Sequence, residues 1–421
     1  MTVDALRVVI GGGGVAGLEA LLALHALAGD RVQLTLVAPD PDFAYRPLAV
    51  AEPFSLGRAE RVPLERFARD AGAELVRDAI ERVDDAAGEV RLRNRGTLAC
   101  DALLLAPGAR MVEGVPGAAT WWPGGDPGAF GGLLREVEDG YTKRIAFVIP
   151  PGAVWPLPVY ELALMTAAEA RAMGQDDVRI TVVTPERSPL SLFGAEASAA
   201  VADELAAAGV TLETGAAARV APGGLVLEPE GREVAVERVV AVPRILGPAL
   251  GGLPADDEGF IRAGDDACVE GCTRTWAAGD GVVSPVKFGG LATHQARRAA
   301  AAIARRAGVE GVPDSGEPVL VGRLLAGDRS RRLIRRADID RRPLWWPPGK
   351  VVGEHLPQWL ADHGAAPAGA EAPPEAGVAV RRPLSALRGA PEAQYLYDLA
   401  RQFRSADPEI AALGRRMHAT P

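Results

Sequence analysis

Three glycines near the amino terminus, Gly12, Gly14 and Gly17, have the spacing of a phosphate-binding turn. In such a turn the first glycine permits a tight bend, the second lets the backbone approach a pyrophosphate, and the third lets helix and strand pack closely. Residues 7–10 before them predict a short buried strand, and the Ala/Leu-rich residues 16–28 predict a helix. With a second strand at 32–37, they form a βαβ unit of about 30 residues, which favours dinucleotide binding over a merely structural glycine turn.

The end of that second strand departs from the pattern. An acidic residue is expected there to bind the ribose hydroxyls, but Val37 is followed by Ala38 and Pro39. Asp40 and Asp42 come just after and are the candidates to replace it. The sequence therefore does not identify the residue that binds the ribose, whereas it does identify the pyrophosphate site.

Few other residues have the types and spacing needed for chemistry. Three cysteines do not make a disulfide framework. Cys100 precedes a buried-looking strand, and Cys268 with Cys272 could form a redox pair, although packing roles are commoner for free cysteines. The five histidines are scattered singly, so we predict no metal site.

The bulk properties bound the class of protein. A chain of 421 residues suggests two or three domains, and 48% hydrophobic residues suffice for buried cores. A net charge of −9 argues against nucleic-acid binding. No run approaches the roughly 18 apolar residues of a membrane span, and the chain begins with a strand rather than a signal peptide. We expect a cytoplasmic protein.

A second strand-turn-helix unit begins at residues 144–149 and ends with a strand at 178–184. Its turn carries several prolines and one glycine at residues 150–158. Proline has no N–H to offer a phosphate, so we interpret this unit as a dinucleotide-type domain whose phosphate site has been lost. The similar spacing of the two units indicates an internal structural repeat.

The predicted fold class is therefore α/β, with two Rossmann-like βαβ dinucleotide-binding domains and a C-terminal extension. The arginine-rich residues 329–342 are followed by Trp345 and Trp346. They are either a solvated basic segment with a tryptophan pair that closes the core, or basic and aromatic residues that contact a membrane surface. The predicted divisions are a first dinucleotide domain (1–140), a second (141–255), a return to the first (256–316), an interface region (317–363), a flexible linker (364–377) and a C-terminal helical segment (378–421).

The glycine turn, the turn at Ala106, Pro107 and Gly108, and the strand end at Gly279 and Asp280 occur in the order of a known superfamily. With them, the chain resembles the FAD-dependent pyridine nucleotide-disulfide oxidoreductases over roughly residues 5 to 310. Residues 160–164 and 183–186 look most like the branch of sulfide:quinone oxidoreductase and flavocytochrome c sulfide dehydrogenase, with type II NADH dehydrogenases as relatives.

This resemblance implies FAD as the cofactor, with its pyrophosphate on the glycine turn and its ribityl chain at Asp280. The helix beginning near Gly289 and Gly290 would place its positive end by the flavin, where it would stabilise the reduced anion. The cofactor-binding residues implied are Gly12, Gly14, Val15, Ala16, Gly17, Ala38, Arg46, Ala106, Pro107, Gly108, Gly279, Asp280, Gly290 and Leu291.

Sulfide oxidation in that branch uses cysteines that flank the flavin, and this chain has none between 101 and 267. The leading hypothesis is an FAD-dependent oxidoreductase that passes electrons from an unidentified donor to a quinone or similar acceptor. The alternatives are an NAD(P)H dehydrogenase, with Glu186 as the ribose-binding acid, and a non-catalytic flavin-binding assembly subunit. Small molecules are the expected partners; a homodimer and peripheral contact with the inner face of a membrane are left open.

Loops near the expected flavin supply the candidate pocket residues, for each of which a structural role is commoner than a catalytic one. His294 is the candidate proton relay because histidine titrates near neutrality. Lys287 and Tyr45 complete the proposed catalytic set, and Arg46, Pro47 and Trp155 are further pocket residues.

Overall fold

The computed structural model describes residues 5–57, 59–316, 318–320, 322–326, 329–333, 350–351, 353–365 and 382–383. Within these ranges the helices are α1 (Val15–Ala28), α2 (Leu64–Asp70), α3 (Pro127–Glu138), α4 (Leu157–Ala172), α5 (Ala195–Ala207), α6 (Gly289–Arg306) and α7 (His355–Asp362). The strands are β1 (Leu6–Gly11), β2 (Val32–Val37), β3 (Asp42–Ala44), β4 (Arg61–Pro63), β5 (Glu74–Val76), β6 (Ile80–Asp84), β7 (Glu89–Leu92), β8 (Thr97–Ala99), β9 (Ala102–Leu105), β10 (Arg110–Val112), β11 (Ala119–Thr120), β12 (Arg144–Val148), β13 (Arg179–Val183), β14 (Val210–Glu213), β15 (Ala217–Ala221), β16 (Gly224–Glu228), β17 (Arg232–Ala235), β18 (Arg238–Ala241), β19 (Arg244–Leu246), β20 (Thr275–Ala277), β21 (Val319–Leu320), β22 (Gly322–Ala326), β23 (Arg329–Leu333) and β24 (Arg382–Pro383).

The first domain is built on a parallel sheet in the order β20-β9-β1-β2-β5. All four residues of β9 are buried, as expected for a strand covered on both faces of a parallel sheet. Helices α1 and α6 pack against each other beside this sheet, and Ala296, Ala299 and Ala300 of α6 are fully buried. Small side chains let the two helices approach closely, which places the amino ends of both near the sheet's carboxyl edge.

The second domain repeats this plan, with a parallel sheet in the order β11-β18-β12-β13-β14. Helix α4 covers it, with eleven buried residues including Tyr160 and Glu161. Each domain also carries a three-stranded antiparallel sheet, β6-β7-β8 in the first and β15-β16-β17 in the second. The two domains thus confirm the predicted α/β class and the internal repeat.

The chain crosses from the first domain to the second after β9 and returns after β18. The two crossings are joined by an antiparallel pair, β10 with β19, in which Met111 faces Ile245. Strand β11 then adds to the second sheet and β20 to the first, each at an edge.

The C-terminal extension packs against both domains where it is described. Strand β22 lies on α4, and α7 lies on α1. The predicted linker falls outside the described residues except for 364–365, and of the predicted helical segment 378–421 only β24, which pairs with β21, is described. None of the helices in the described ranges is long and apolar enough to cross a membrane.

Candidate active site at the interdomain cleft

A cleft of about 730 Å³ runs between the two domains, within the range usual for ligand sites. Twelve of the residues predicted to bind the cofactor or to act in catalysis line it. They are Gly12, Gly14, Val15, Ala16, Ala38, Arg46, Ala106, Pro107, Gly108, Gly279, Asp280 and Lys287. Parallel strands end at this edge of the first sheet, which is why turns so distant in sequence meet here.

The glycine turn has the geometry of a phosphate cradle. Gly12 has φ +122°, and a Cβ there would lie 2.0 Å from the carbonyl oxygen of Ala106. A Cβ on Gly17 would lie 1.8 Å from the carbonyl oxygen of Gly12. At Gly14, by contrast, a Cβ would meet no protein atom within 4 Å. The fold therefore requires Gly12 and Gly17, while Gly14 leaves room for a ligand.

Gly14 precedes α1, which has no side-chain cap and no acidic residue in its first turn. Val15 and Ala16, the first residues of α1, line the cleft. The first N–H groups of the helix are therefore available to a ligand there. A helix amino end with free N–H groups stabilises a phosphate anion. The residues present therefore fit the pyrophosphate of a dinucleotide such as FAD.

Asp280 follows β20 at the same edge of the first sheet, where a Cβ on the neighbouring Gly279 would lie 3.2 Å from Ala16 Cβ. Its side chain is exposed to the cleft while protein surrounds it elsewhere, and this desolvation raises the pKa of the carboxyl against the attraction of Lys287 and Arg46. The backbone N–H of the neighbouring Gly279 donates to Gln295 Oε1 at 2.8 Å. Asp280 can accept hydrogen bonds from ligand hydroxyls, which suits a ribityl chain better than a phosphate.

Lys287 and Tyr45 are both buried. The Lys287 ammonium donates to the carbonyl oxygen of Val282 and lies 4.1 Å from the centroid of the Phe260 ring, a cation–π contact. Tyr45 accepts a hydrogen bond from the N–H of Val351 at 3.0 Å, and burial raises its pKa. Lys287 lines the cleft, whereas Tyr45 does not.

The remaining predicted cofactor-binding and catalytic residues lie outside the lining. Gly17 packs against the backbone of Gly12, and Leu291 and His294 are buried within α6. Gly290 occupies the first turn of α6, next to Gly289, which does line the cleft. His294 at 4% exposure thus belongs to the helix interior rather than to the cleft wall.

The cleft-lining residues that were not predicted as site residues include Glu161, Arg323 and Lys350. Glu161 is fully buried on α4, where it pairs with the Lys350 ammonium and accepts from the N–H of Leu325 at 2.9 Å. Burial raises the pKa of Glu161 and lowers that of Lys350, although each partner opposes the shift of the other. A glutamate within the largely apolar residues 157–168 of α4 was the available sequence signal for this pair.

The proline-rich turn of the second domain lies over the cleft, and its residues Val154 and Trp155 line the cleft. The half-buried Trp155 ring stacks on Phe288 with centroids 5.1 Å apart at an interplanar angle of 17°. Phe193 contacts the Trp155 ring edge-on, with ring centroids 5.9 Å apart. Pro47 also lines the cleft. The turn therefore supplies an aromatic wall rather than a phosphate cradle.

Glu186 turns into the protein and away from a ligand position. Its Oε2 accepts from Tyr160 Oη at 2.6 Å and from Thr184 Oγ1 at 3.1 Å, and the residue is 1% exposed. None of residues 183–216, which follow β13 and reach past β14, lines the cleft. Desolvation raises the pKa of Glu186 to about 7.

We expect this shift to make stability fall as pH rises. Because the pKa of Glu186 is about 7 in the folded state and 4.5 otherwise, the folded protein holds the proton more tightly, and stability is lost between these values. The shift corresponds to roughly 3 kcal/mol. In urea unfolding between pH 5 and pH 8, Glu186→Gln should show a smaller decline than the wild type; an unchanged slope would contradict the assignment.

The cysteines do not approach the described cleft wall. Burial raises the pKa of Cys268, and raises that of Cys272 to about 11, so neither is activated as a thiolate. Among the described residues, no three His, Cys, Asp or Glu side chains are placed to hold a metal ion.

Comparison with solved structures shows the class of fold. The sulfide:quinone oxidoreductase of Aquifex aeolicus superposes with TM-score 0.66 at 20% identity, covering 78% of this chain and 83% of that one. The ferredoxin reductase for the CYP199A2 system of Rhodopseudomonas palustris gives 0.59 at 22%, covering 77% and 81%. NDH2 of Plasmodium falciparum, solved in complex with NADH, gives 0.53 at 13%, covering 65% and 64%.

The chain thus has the fold of the two-dinucleotide-domain oxidoreductases, and the resemblance inferred from the sequence is confirmed at the level of fold. No protein-family model and no functionally curated protein matches the sequence.

Proposed function

We propose that this protein is an FAD-dependent oxidoreductase that passes electrons from a small-molecule donor to a quinone or similar acceptor. The cleft is the observation that carries the proposal. One end is a glycine cradle, with Gly14 open to a ligand, and the other is an aromatic wall formed by Trp155 and Phe288. A dinucleotide cofactor fits the first end, and a planar reactant fits the second.

FAD, when bound, supplies two-electron redox chemistry. The chain's own residues bind and orient it: the amino end of α1 holds the pyrophosphate, and Asp280 accepts from the ribityl hydroxyls. Trp155 and Phe288 exclude water from one wall. Lys350 holds a proton at Nζ beside Glu161, and since burial lowers the pKa of that ammonium, the proton is more available to a reduced acceptor than from an exposed lysine.

The geometry gives less support to NAD(P)H as the donor. Glu186, the candidate ribose acid, is committed to Tyr160 and Thr184 in the interior. The turn before α4 offers prolines, and the cleft does not extend over the ends of β13 and β14. A donor other than a nicotinamide dinucleotide is therefore the reading that the second domain favours, and we propose that the domain acts as a wall of the cleft.

An anaerobic absorbance titration tests this assignment. The purified, FAD-loaded protein is titrated with NADH and, separately, reduced with dithionite and mixed with a soluble quinone. We expect no bleaching of the flavin band by NADH, and rapid reoxidation by the quinone. Stoichiometric bleaching by NADH would establish the NAD(P)H dehydrogenase instead. Normal dithionite reduction with no reoxidation by quinones would favour a non-catalytic flavin-binding subunit, and absence of a flavin band would overturn the proposal.

We propose that the protein is cytoplasmic. If its acceptor is a membrane quinone, the protein binds peripherally to the membrane surface. Co-sedimentation with vesicles of anionic phospholipid tests that contact. The same preparation, run on a sizing column, gives the oligomeric state.

A further inference from the structure

Glu19 is an unusual carboxylate, because it is fully buried on the helix that follows the glycine turn. It lies one turn beyond Val15, whose backbone belongs to the cleft wall. A buried carboxylate is costly unless hydrogen bonds satisfy it. Its partners therefore indicate what it does.

Those partners are backbone N–H groups at the amino end of α7. Glu19 Oε1 accepts from Glu354 N at 2.9 Å and His355 N at 3.2 Å, and Oε2 accepts from Leu356 N at 2.7 Å. Arg297 on α6 lies 3.7 Å from Oε1. The carboxylate of one helix thus caps another, which has no capping side chain of its own.

The residues just before α7 belong to the cleft. Lys350 and Val351 line it, and Val351 packs on the first turn of α6, where a Cβ on Gly289 would come within 2.6 Å of its Cγ2. The N–H of Val351 also donates to Tyr45 Oη. Displacing the amino end of α7 would consequently loosen one wall of the cleft.

We propose that Glu19 is a positioning residue that couples the pyrophosphate-binding helix to the C-terminal segment, here residues 350–351 and 353–365, and so sets how firmly the cofactor is retained. Helix α1 binds the ligand with its first turn and fixes the segment with its second. Docking of the segment and retention of the dinucleotide therefore both depend on the position of α1. The retention role rests on the proposed FAD binding, whereas the docking role does not.

Hydrogen exchange of the flavin-free full chain tests the docking. In Glu19→Ala, the amides of Glu354, His355 and Leu356 should exchange about tenfold faster than in the wild type, the size expected for loss of a helix cap. Glu354→Ala is the matched control, because Glu354 is 64% exposed and pairs with the same Arg297 but accepts no hydrogen bond from α7. In Glu354→Ala, the amides of His355 and Leu356 should exchange at the wild-type rate.

Release of FAD on dilution, followed by the recovery of flavin fluorescence, tests the coupling. We expect about tenfold faster release from Glu19→Ala, on the same basis, and an unchanged rate from Glu354→Ala. Should Glu19→Ala not fold, Glu19→Gln keeps one acceptor oxygen and should shift both rates in the same direction by a smaller factor.

The outcomes separate the two proposals. Unchanged exchange at α7 overturns the docking role, and faster exchange with unchanged release of FAD overturns the coupling. A wild-type protein that binds no flavin overturns the proposed function and the retention role together, while the exchange experiment still decides whether Glu19 fixes the segment.

Discussion

Replacing Gly14 with alanine should abolish tight FAD binding while leaving the fold intact. A Cβ at this position would meet no protein atom within 4 Å, and Gly14 does not have a left-handed backbone. The added methyl would instead project into the space where the pyrophosphate approaches the turn. We expect affinity to fall about 100-fold, or about 2.8 kcal/mol. Isothermal titration of the apoprotein with FAD measures it.

Gly17→Ala is the matched control for this experiment. Its Cβ would lie 1.8 Å from the Gly12 carbonyl oxygen, so the backbone must shift, at a cost of about 3 kcal/mol to the folded protein. The flavin-free melting temperature should therefore fall in Gly17→Ala and stay unchanged in Gly14→Ala. Equal destabilisation of the two variants would show that Gly14 serves the fold rather than the ligand.

Removing one partner of the buried Glu161–Lys350 pair should produce the largest loss of stability. Both side chains are nearly inaccessible, with exposures of 0% and 8%. Lys350→Met leaves the Glu161 carboxylate buried without its counter-charge, which typically costs about 3–5 kcal/mol. Urea unfolding measures the loss.

The double variant Glu161→Gln, Lys350→Met distinguishes charge from packing. It removes both charges, so no ion is left buried, and most of the lost stability should return. If the double variant is as unstable as Lys350→Met, the packing of the lysine stem, rather than the charge, is responsible for the effect.

The sequence predicted the βαβ unit of each domain closely because its signals are local. Helix α1 begins at Val15 and ends at Ala28, within a residue of the helix predicted at 16–28. Strand β12 lies inside the predicted 144–149, and strand β13 lies inside the predicted 178–184. Periodicity, glycine and proline each act on neighbouring residues, which one sequence reveals.

The contacts between the C-terminal segment and the two domains could not be predicted in the same way. Lys350 lies 189 residues from Glu161, and Leu356 lies 337 residues from Glu19, so neither pairing leaves a local pattern. Glu186 was placed correctly at the end of a strand, but its direction depends on Tyr160, 26 residues earlier. Direction and distant pairing are set by tertiary packing, and short-range spacing carries neither.

The small ladder between β10 and β19 has a mechanical consequence for the cleft. A pair of independent linkers would let two domains twist about each other, as in proteins that close around their ligands. Here the outgoing and returning strands are hydrogen-bonded to one another, so neither can bend alone, and the joint is stiff in torsion. We expect a mouth of fixed width, in which the shape of the opening, rather than domain closure, selects what enters.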